Sequence, residues 1–293
     1  MIIQPVKPVE SLAPIVLKKK TPVLNFIEPE VLSEYMSILI IGAQGAGKTK
    51  LASSVLECEQ IEGVLYIDVD RGTKTAARLI TQYRNKVKVV GIDKLDPIGD
   101  MKKIIQWLEI ATDREKAEEA GILFVNIVII DSISFLADRT IAKLWGTAEA
   151  VAKGNAPEKA ATQPEWNQQK SIVEEWITTL RDMHCHLIVT CHQHSEKNER
   201  AGVLMPQLIL PGKLGKKLPA FFDEVFWLSI DQSKPDPKKP EDKPKSRRVL
   251  LCNAEGNQED GFREAKDRSQ TLPVKIEGPD ITMKTLFGYF FKD

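Results

Sequence analysis

Short apolar runs alternate with amphipathic stretches along most of this chain. The runs are SILIIG (37–42), GVLYIDVD (63–70), KVKVVGI (86–92), NIVIID (126–131), HLIVTC (186–191), EVFWLSI (224–230) and RVLLCNA (248–254). Their lengths and β-branched content predict strands. Between the first five, apolar residues return at three-four spacing. Met101, Ile104, Ile105 and Leu108 mark one segment; Trp166, Val173, Trp176, Leu180 and Met183 mark another, with Gln169 the polar residue on its stripe. That spacing predicts helices. Strands that are mostly apolar on both faces, joined through helices, predict a largely parallel sheet covered on both sides. The last two runs have no helix-length spacer and predict a C-terminal antiparallel hairpin. The fold class is α/β.

Other segments break this rhythm. Residues 1–35 carry Pro5, Pro8, Pro14, Pro22 and Pro29 and a KKK run at 18–20. Proline fixes φ and removes a donor, which predicts an extended arm ahead of a single domain over 36–293. Such an arm either lies on another surface, a neighbouring subunit included, or frays. Residues 147–164 read as a polar loop and 233–248 as a charged hairpin tip. Residues 195–219 read as an irregular segment bearing Lys197, Arg200, Lys213, Lys216 and Lys217.

Composition narrows the function classes. Lys+Arg and Asp+Glu both number 41, the hydrophobic fraction is 42% and the charged fraction 28%. This is globular composition, which excludes disordered, collagen-like and disulfide-scaffold chains. A net charge of zero gives no general reason to expect nucleic-acid binding, so any basic surface is local. Cys58, Cys185, Cys191 and Cys252 lack paired spacing and read as buried thiols of a reducing compartment. No apolar run approaches the roughly 18–20 residues that cross a bilayer. A cytoplasmic chain with no membrane partner is expected.

The chemistry begins at GAQGAGKTK, that is Gly42, Ala43, Gln44, Gly45, Ala46, Gly47, Lys48, Thr49 and Lys50. Its first eight residues fit G-x-x-x-x-G-K-[ST] between the strand SILII and the helical LASSVLE, the setting of a phosphate loop. Glycines let backbone N–H groups turn inward around phosphate oxygens at a helix N-terminus. Lys48 then reaches the β- and γ-phosphates and Thr49 ligates magnesium, so ATP and Mg²⁺ are the expected cofactors.

Three strand ends add to it. NIVIID delivers Asp131 where ligands of open α/β sheets bind, as a holder of Mg²⁺ through water and equally as a cap for the next helix. VLYIDVD ends in Asp68 and Asp70, on one face of the strand. Either one polarises the attacking water, while Asp70 also suits a turn with Arg71 and Gly72. MHCHLIVTCHQH gathers four histidines and two cysteines within eleven residues. The LIVT strand separates its two groups by about 15–20 Å, too far for one tetrahedral metal site. His192 and Gln193 instead end the strand beside Asp131, where His192 is placed to sense the γ-phosphate.

These features together resemble the RecA/RadA-like core ATPases, and within them phage-encoded RecA-like recombination ATPases that work with single-strand annealing proteins. The resemblance spans roughly residues 35–275 and implies a RecA-like P-loop NTPase domain with ATP at a subunit interface of a ring or filament. REAKDRSQ looks like the family's K-x-R element, which implies that Lys266 and Arg268 reach a neighbour's γ-phosphate. Asp70 holds the place of the family's water-activating glutamate, one methylene shorter. Residues 138–165 and 195–217 sit where the family carries DNA-binding loops. That implies single-stranded DNA as a partner, held by Lys197, Arg200, Lys213, Lys216 and Lys217 through its phosphates, and a single-strand annealing or single-strand binding protein beside it. Neither segment shows an aromatic stacking row, and solvated lysines are the plain alternative. A KaiC-like, nucleotide-switched oligomer acting on a protein partner is the other function in play. No N-K-x-D element supports a GTPase, and no LSGGQ-like signature an ABC ATPase.

Overall fold

Alternation along β1 (Ser37–Gly42) sends Ile38 and Ile40 to one side of a sheet and Leu39 and Ile41 to the other, and all four are fully buried. The same division runs through β2 (Val64–Asp68), β4 (Ile127–Asp131) and β5 (His186–Lys197), so the sheet separates two cores. The computed structural model describes residues 35–147, 161–197, 204–211, 213–232, 246–253, 265–278 and 281–291. The predicted arm as far as residue 34, most of the loop 147–164, the hairpin tip 233–245 and Arg200 lie outside them. Among the described residues no helix is long and apolar enough to cross a membrane.

The main path of the sheet is ordered β10 (Lys275–Gly278), β8 (Ser246–Leu251), β7 (Glu224–Gln232), β1, β5, β4, β2 and β3 (Val87–Gly91). Its parallel part comprises β3, β2, β4, β5, β1 and β7. The expected C-terminal hairpin is present: β8 returns antiparallel to β7, and β10 extends it. A two-residue strand β9 (Lys266–Asp267) pairs with the start of β7.

Helices α1 (Lys48–Ser53), α2 (Thr73–Gln82), α3 (Pro97–Ala111), α4 (Arg114–Glu119), α5 (Ile133–Leu144) and α6 (Gln163–Arg181) connect the strands. Met101, Ile104 and Leu108 of α3 and Val173, Trp176 and Leu180 of α6 pack on one face, as their spacing predicts. Gln169, the polar member of that stripe, is fully buried and donates its Nε2 to the Ala137 carbonyl at 3.2 Å, which ties α6 to α5. The opposite face is covered by α1 and by α8 (Met283–Phe290), whose Met283, Leu286 and Phe287 are buried.

One expectation needs correcting. Residues 195–219 are not wholly irregular: β5 runs on to Lys197 and pairs antiparallel with β6 (Leu204–Leu208), followed by the short helix α7 (Leu214–Lys217). The hairpin satisfies its backbone by pairing with itself, outside the main sheet, so it needs no apolar run to mark it. Pro206 is tolerated because β6 is an edge strand.

Candidate functional site

Parallel register brings the functional strand ends together. Gly42 of β1 stands opposite His192 of β5, and Asp68 of β2 opposite Asp131 of β4, all at the carboxyl edge of the sheet. Between β1 and α1 the loop Gly42–Lys50 turns on Gly45 (φ 81°) and Gly47 (φ 105°), left-handed conformations that favour glycine. Gly42 is required for another reason: a Cβ there would lie 2.5 Å from the Leu228 carbonyl of β7. Ala43, Gln44, Gly45 and Lys50 are exposed and Ala46 is buried.

Lys48 is buried, and its ammonium donates to the carbonyls of Gly42 at 2.9 Å and Ala43 at 3.1 Å. Its third contact is His192 Nδ1, at 3.3 Å. Burial lowers the lysine pKa, while the nearby Asp131, Cys191 and Asp70 oppose that shift. Thr49 donates its hydroxyl to Asp131 Oδ2 at 2.7 Å.

Asp131 is 1% exposed and held by three hydroxyls. Thr49 and Tyr66 donate to Oδ2, the latter at 2.6 Å, and Thr190 donates to Oδ1. Burial, reinforced by Asp131, drives the Tyr66 phenol well above its ordinary pKa, so it stays a donor. Asp70 Oδ1 accepts from the Gly72 N–H at 2.9 Å, and its Oδ2 faces His192 Nε2 at 3.5 Å. Asp68 is turned elsewhere and accepts from the Thr73 hydroxyl. Arg71, between Asp70 and Gly72 in the chain, has φ 65°.

The donor set suits magnesium. Hydroxyl and carboxylate oxygens are the hard ligands that cation takes. Gly72 keeps space open among them: a Cβ there would stand 2.9 Å from Asp131 Oδ2, 2.9 Å from Asp70 Oδ1 and 3.2 Å from Thr49 Oγ1.

Sequence reasoning did not single out Tyr66, Thr190, Gly72 or Arg248 for this site. Tyr66 and Thr190 carry a signal in retrospect, each being a hydroxyl inside an otherwise aliphatic buried strand. Arg248 carries none. It enters from β8 and donates Nε to the Ala46 carbonyl at 3.3 Å, close against Gly47.

The remaining sequence candidates lie apart from this cluster. Lys266 pairs with Val225, which pairs with Leu39, so the K-x-R element sits near the amino end of β1, roughly 10 Å of strand from Gly42. Lys266 donates to the Phe222 carbonyl at 2.5 Å, and Arg268 to Asp223 Oδ1 at 2.7 Å. Burial and Arg268 lower the Lys266 pKa. Lys213, Lys216 and Lys217 are exposed, but Lys217 lies 3.7 Å from Glu174 of α6, which Lys170 approaches at 3.8 Å. Lys197 belongs to β5 at the hairpin end. His184, just before β5, stacks on Tyr35, and His186 at the far end of β5 meets the same ring edge-on.

A profile of the family described as an AAA domain matches residues 34–268. No curated protein matches the sequence. Among solved structures, the RadB recombinase is similar at 16% identity over 78% of this chain and 84% of that one, with a TM-score of 0.39. A prototypical ATPase from the type III secretion system of pathogenic bacteria is similar at 16% identity over 66% of this chain, with a TM-score of 0.41. NeqB, an ATP synthase subunit from Nanoarcheaum equitans, is similar at 12% over 67%, with a TM-score of 0.40. The chain spans about half the length of these last two, 51% and 46%.

Proposed function

Since this chain belongs to the AAA domain family of P-loop ATPases, we propose that it hydrolyses ATP with magnesium at the Lys48–Thr49–Asp131 site and couples turnover to single-stranded DNA. The carrying observation is the continuity of β5. One strand bears His192, in contact with Lys48 and Asp70, and runs on to Lys197 in the β5–β6 hairpin. A polyanion held along that hairpin would therefore act on the strand that touches the catalytic groups.

In this reading the loop amides and Lys48 bind the phosphates, and Asp70 and His192 orient water. Thr49 and Asp131 would hold magnesium, which neutralises charge on the phosphate oxygens when bound. Lys197, Arg200, Lys213 and Lys216 are the phosphate-backbone contacts, sequence-independent and weakened by salt. Lys217 contributes less, being shared with Glu174. The position of Lys266 and Arg268 at the opposite end of β1 supports a role across a subunit interface, since they are remote from their own phosphate loop. A single-strand annealing or single-strand binding protein fits as a further partner.

The pairing of Lys217 with Glu174 and the zero net charge favour a second reading, a nucleotide-switched oligomer that acts on a protein. ATP hydrolysis by the wild type and Lys48→Ala, each with no nucleic acid, single strands or duplex, separates the two. Stimulation by single strands that is abolished in Lys48→Ala is expected. Lys48-dependent hydrolysis indifferent to DNA would replace the DNA reading with the protein-partner one.

A further inference from the structure

A three-membered relay crosses the site. Lys48 Nζ lies 3.3 Å from His192 Nδ1, and His192 Nε2 lies 3.5 Å from Asp70 Oδ2. An ammonium only donates. Nδ1 is therefore the accepting nitrogen, and the proton of the neutral imidazole sits on Nε2, aimed at the carboxylate. Two contacts fix the ring: Phe135 meets it edge-on with centroids 5.5 Å apart, and the His192 backbone N–H donates to Ser134 Oγ at 3.0 Å. The side chains of His192 and Asp70 are 16% and 17% exposed, so the pair is sheltered from bulk water.

We propose that His192 is the general base that takes the proton of the attacking water, and that Asp70 is the positioning residue that holds its tautomer. The proposal rests on the ATP-hydrolase reading and deepens it. Asp70 alone is poorly disposed for the task, because Oδ1 accepts from Gly72 N–H and Oδ2 faces the imidazole. An imidazole reaches further than the carboxylate, which answers the missing methylene. The division of labour is that of a carboxylate orienting a catalytic histidine.

Lys48, turned to the phosphates, releases the Nδ1 lone pair. The water oxygen forms its bond to the γ-phosphorus while its proton passes to Nδ1. The bond from that phosphorus to the β,γ-bridging oxygen breaks, and the electron pair stays on ADP. Asp70 stabilises the imidazolium until the proton leaves to solvent. Among the described residues, the charged or titratable groups around this unit include Lys48 of α1, Asp70 and Arg71 after β2, and Cys191 beside His192 on β5. Asp131 of β4 acts on Lys48, and Arg139 of α5 acts on Asp70.

Two measurements test this: kcat against pH for the wild type, His192→Gln and Asp70→Asn, and ¹⁵N NMR of the imidazoles, of which the chain has four. The wild type is expected to lose kcat on the acid side, and His192→Gln to lose at least about 100-fold in kcat together with that limb. Asp70→Asn is expected to lower kcat and to leave the imidazole proton shared between Nδ1 and Nε2 in the NMR spectra, because an amide oxygen is a weaker acceptor than the carboxylate that holds the tautomer. Binding of a non-hydrolysable ATP analogue within about threefold of wild type shows that the variants are folded. NMR of the wild type is expected to find His192 protonated on Nε2. An unchanged limb in His192→Gln, or an Nδ1-protonated His192, would overturn the assignment. A wild type that binds ATP and hydrolyses none at any pH would overturn the hydrolase reading itself, and the assignment with it.

Discussion

Tyr66 donates its hydroxyl to Asp131 Oδ2 at 2.6 Å, from one parallel strand to the next. The register places Tyr66 beside Ile129, two residues before Asp131, so the phenol reaches along the strand to the carboxylate. Tyr66→Phe keeps the ring in its core and removes one of three hydroxyl donors to a buried charged acceptor. The expected cost is about 1.5–3 kcal/mol, read as a lower urea midpoint. Half-maximal hydrolysis is expected to need more magnesium, because the carboxylate is less firmly oriented. An unchanged midpoint would mean that the hydroxyl contributes nothing to stability.

Gly72→Ala isolates the site from the fold. Gly72 has φ −65°, which alanine adopts without strain, yet the added Cβ would stand 2.9 Å from both the Asp70 and Asp131 oxygens. Misplacing such groups by a fraction of an ångström is expected to lower kcat by more than about tenfold. The thermal midpoint should stay within a few degrees of wild type. A matching fall in both would mark a folding defect instead.

Glu224 gives a pH signature unrelated to catalysis. It is fully buried beside Asp267; Oε1 accepts from the Ser269 N–H at 3.0 Å, and Oε2 has no partner among the described residues. Burial, helped by Asp267, pushes its pKa up to about 8 from an ordinary 4.5. The folded protein thus keeps a proton that the unfolded chain has released. Stability from this group is complete below pH 4.5 and is lost as pH rises towards 8. Glu224→Gln should remove that slope and stabilise the protein at pH 8 by on the order of 1–3 kcal/mol. Parallel stability–pH curves for the two proteins would refute this.

Arg268 is expected to act on a neighbour. Arg268→Ala and Lys48→Ala should each be inactive alone, since one lacks the donated guanidinium and the other the phosphate lysine. Mixed, they should regain hydrolysis, because some interfaces then combine an intact loop with an intact Arg268. Absence of any recovery across mixing ratios would leave Arg268 as a structural partner of Asp223, the role its 2.7 Å contact already gives it.

Much of this site was legible along the chain, for a physical reason. A phosphate loop is local, with strand, glycines and helix contiguous; Asp131 ends a recognisable strand, Asp70 follows one, and His192 closes the apolar part of another. Their mutual contacts were not legible. His192 meets Asp70 only because β4 separates β5 from β2 in the sheet and the register aligns their ends. Arg248 reaches Ala46 across 202 residues: the β7–β8 hairpin could be read locally, but not that β7 lies beside β1. The β5–β6 hairpin escaped because β5 turns polar from His192 to Lys197 and β6 carries Pro206 at its centre. The ion pair of Lys217 and Glu174 escaped because α7 and α6 are remote in sequence. The C-terminal helix α8 had a readable signal, Met283, Leu286 and Phe287 at three-four spacing.

The three contacts of Lys48 have one more consequence. An ammonium has three protons, and Gly42, Ala43 and His192 engage them all. Taking up a nucleotide is therefore an exchange of partners, in which the lysine surrenders neutral acceptors to gain charged ones. Only a ligand offering enough simultaneous contacts along the whole loop repays that surrender. Free orthophosphate, with a single tetrahedral group to offer, should compete weakly, so the protein can turn over in a phosphate-rich medium without being poisoned by it.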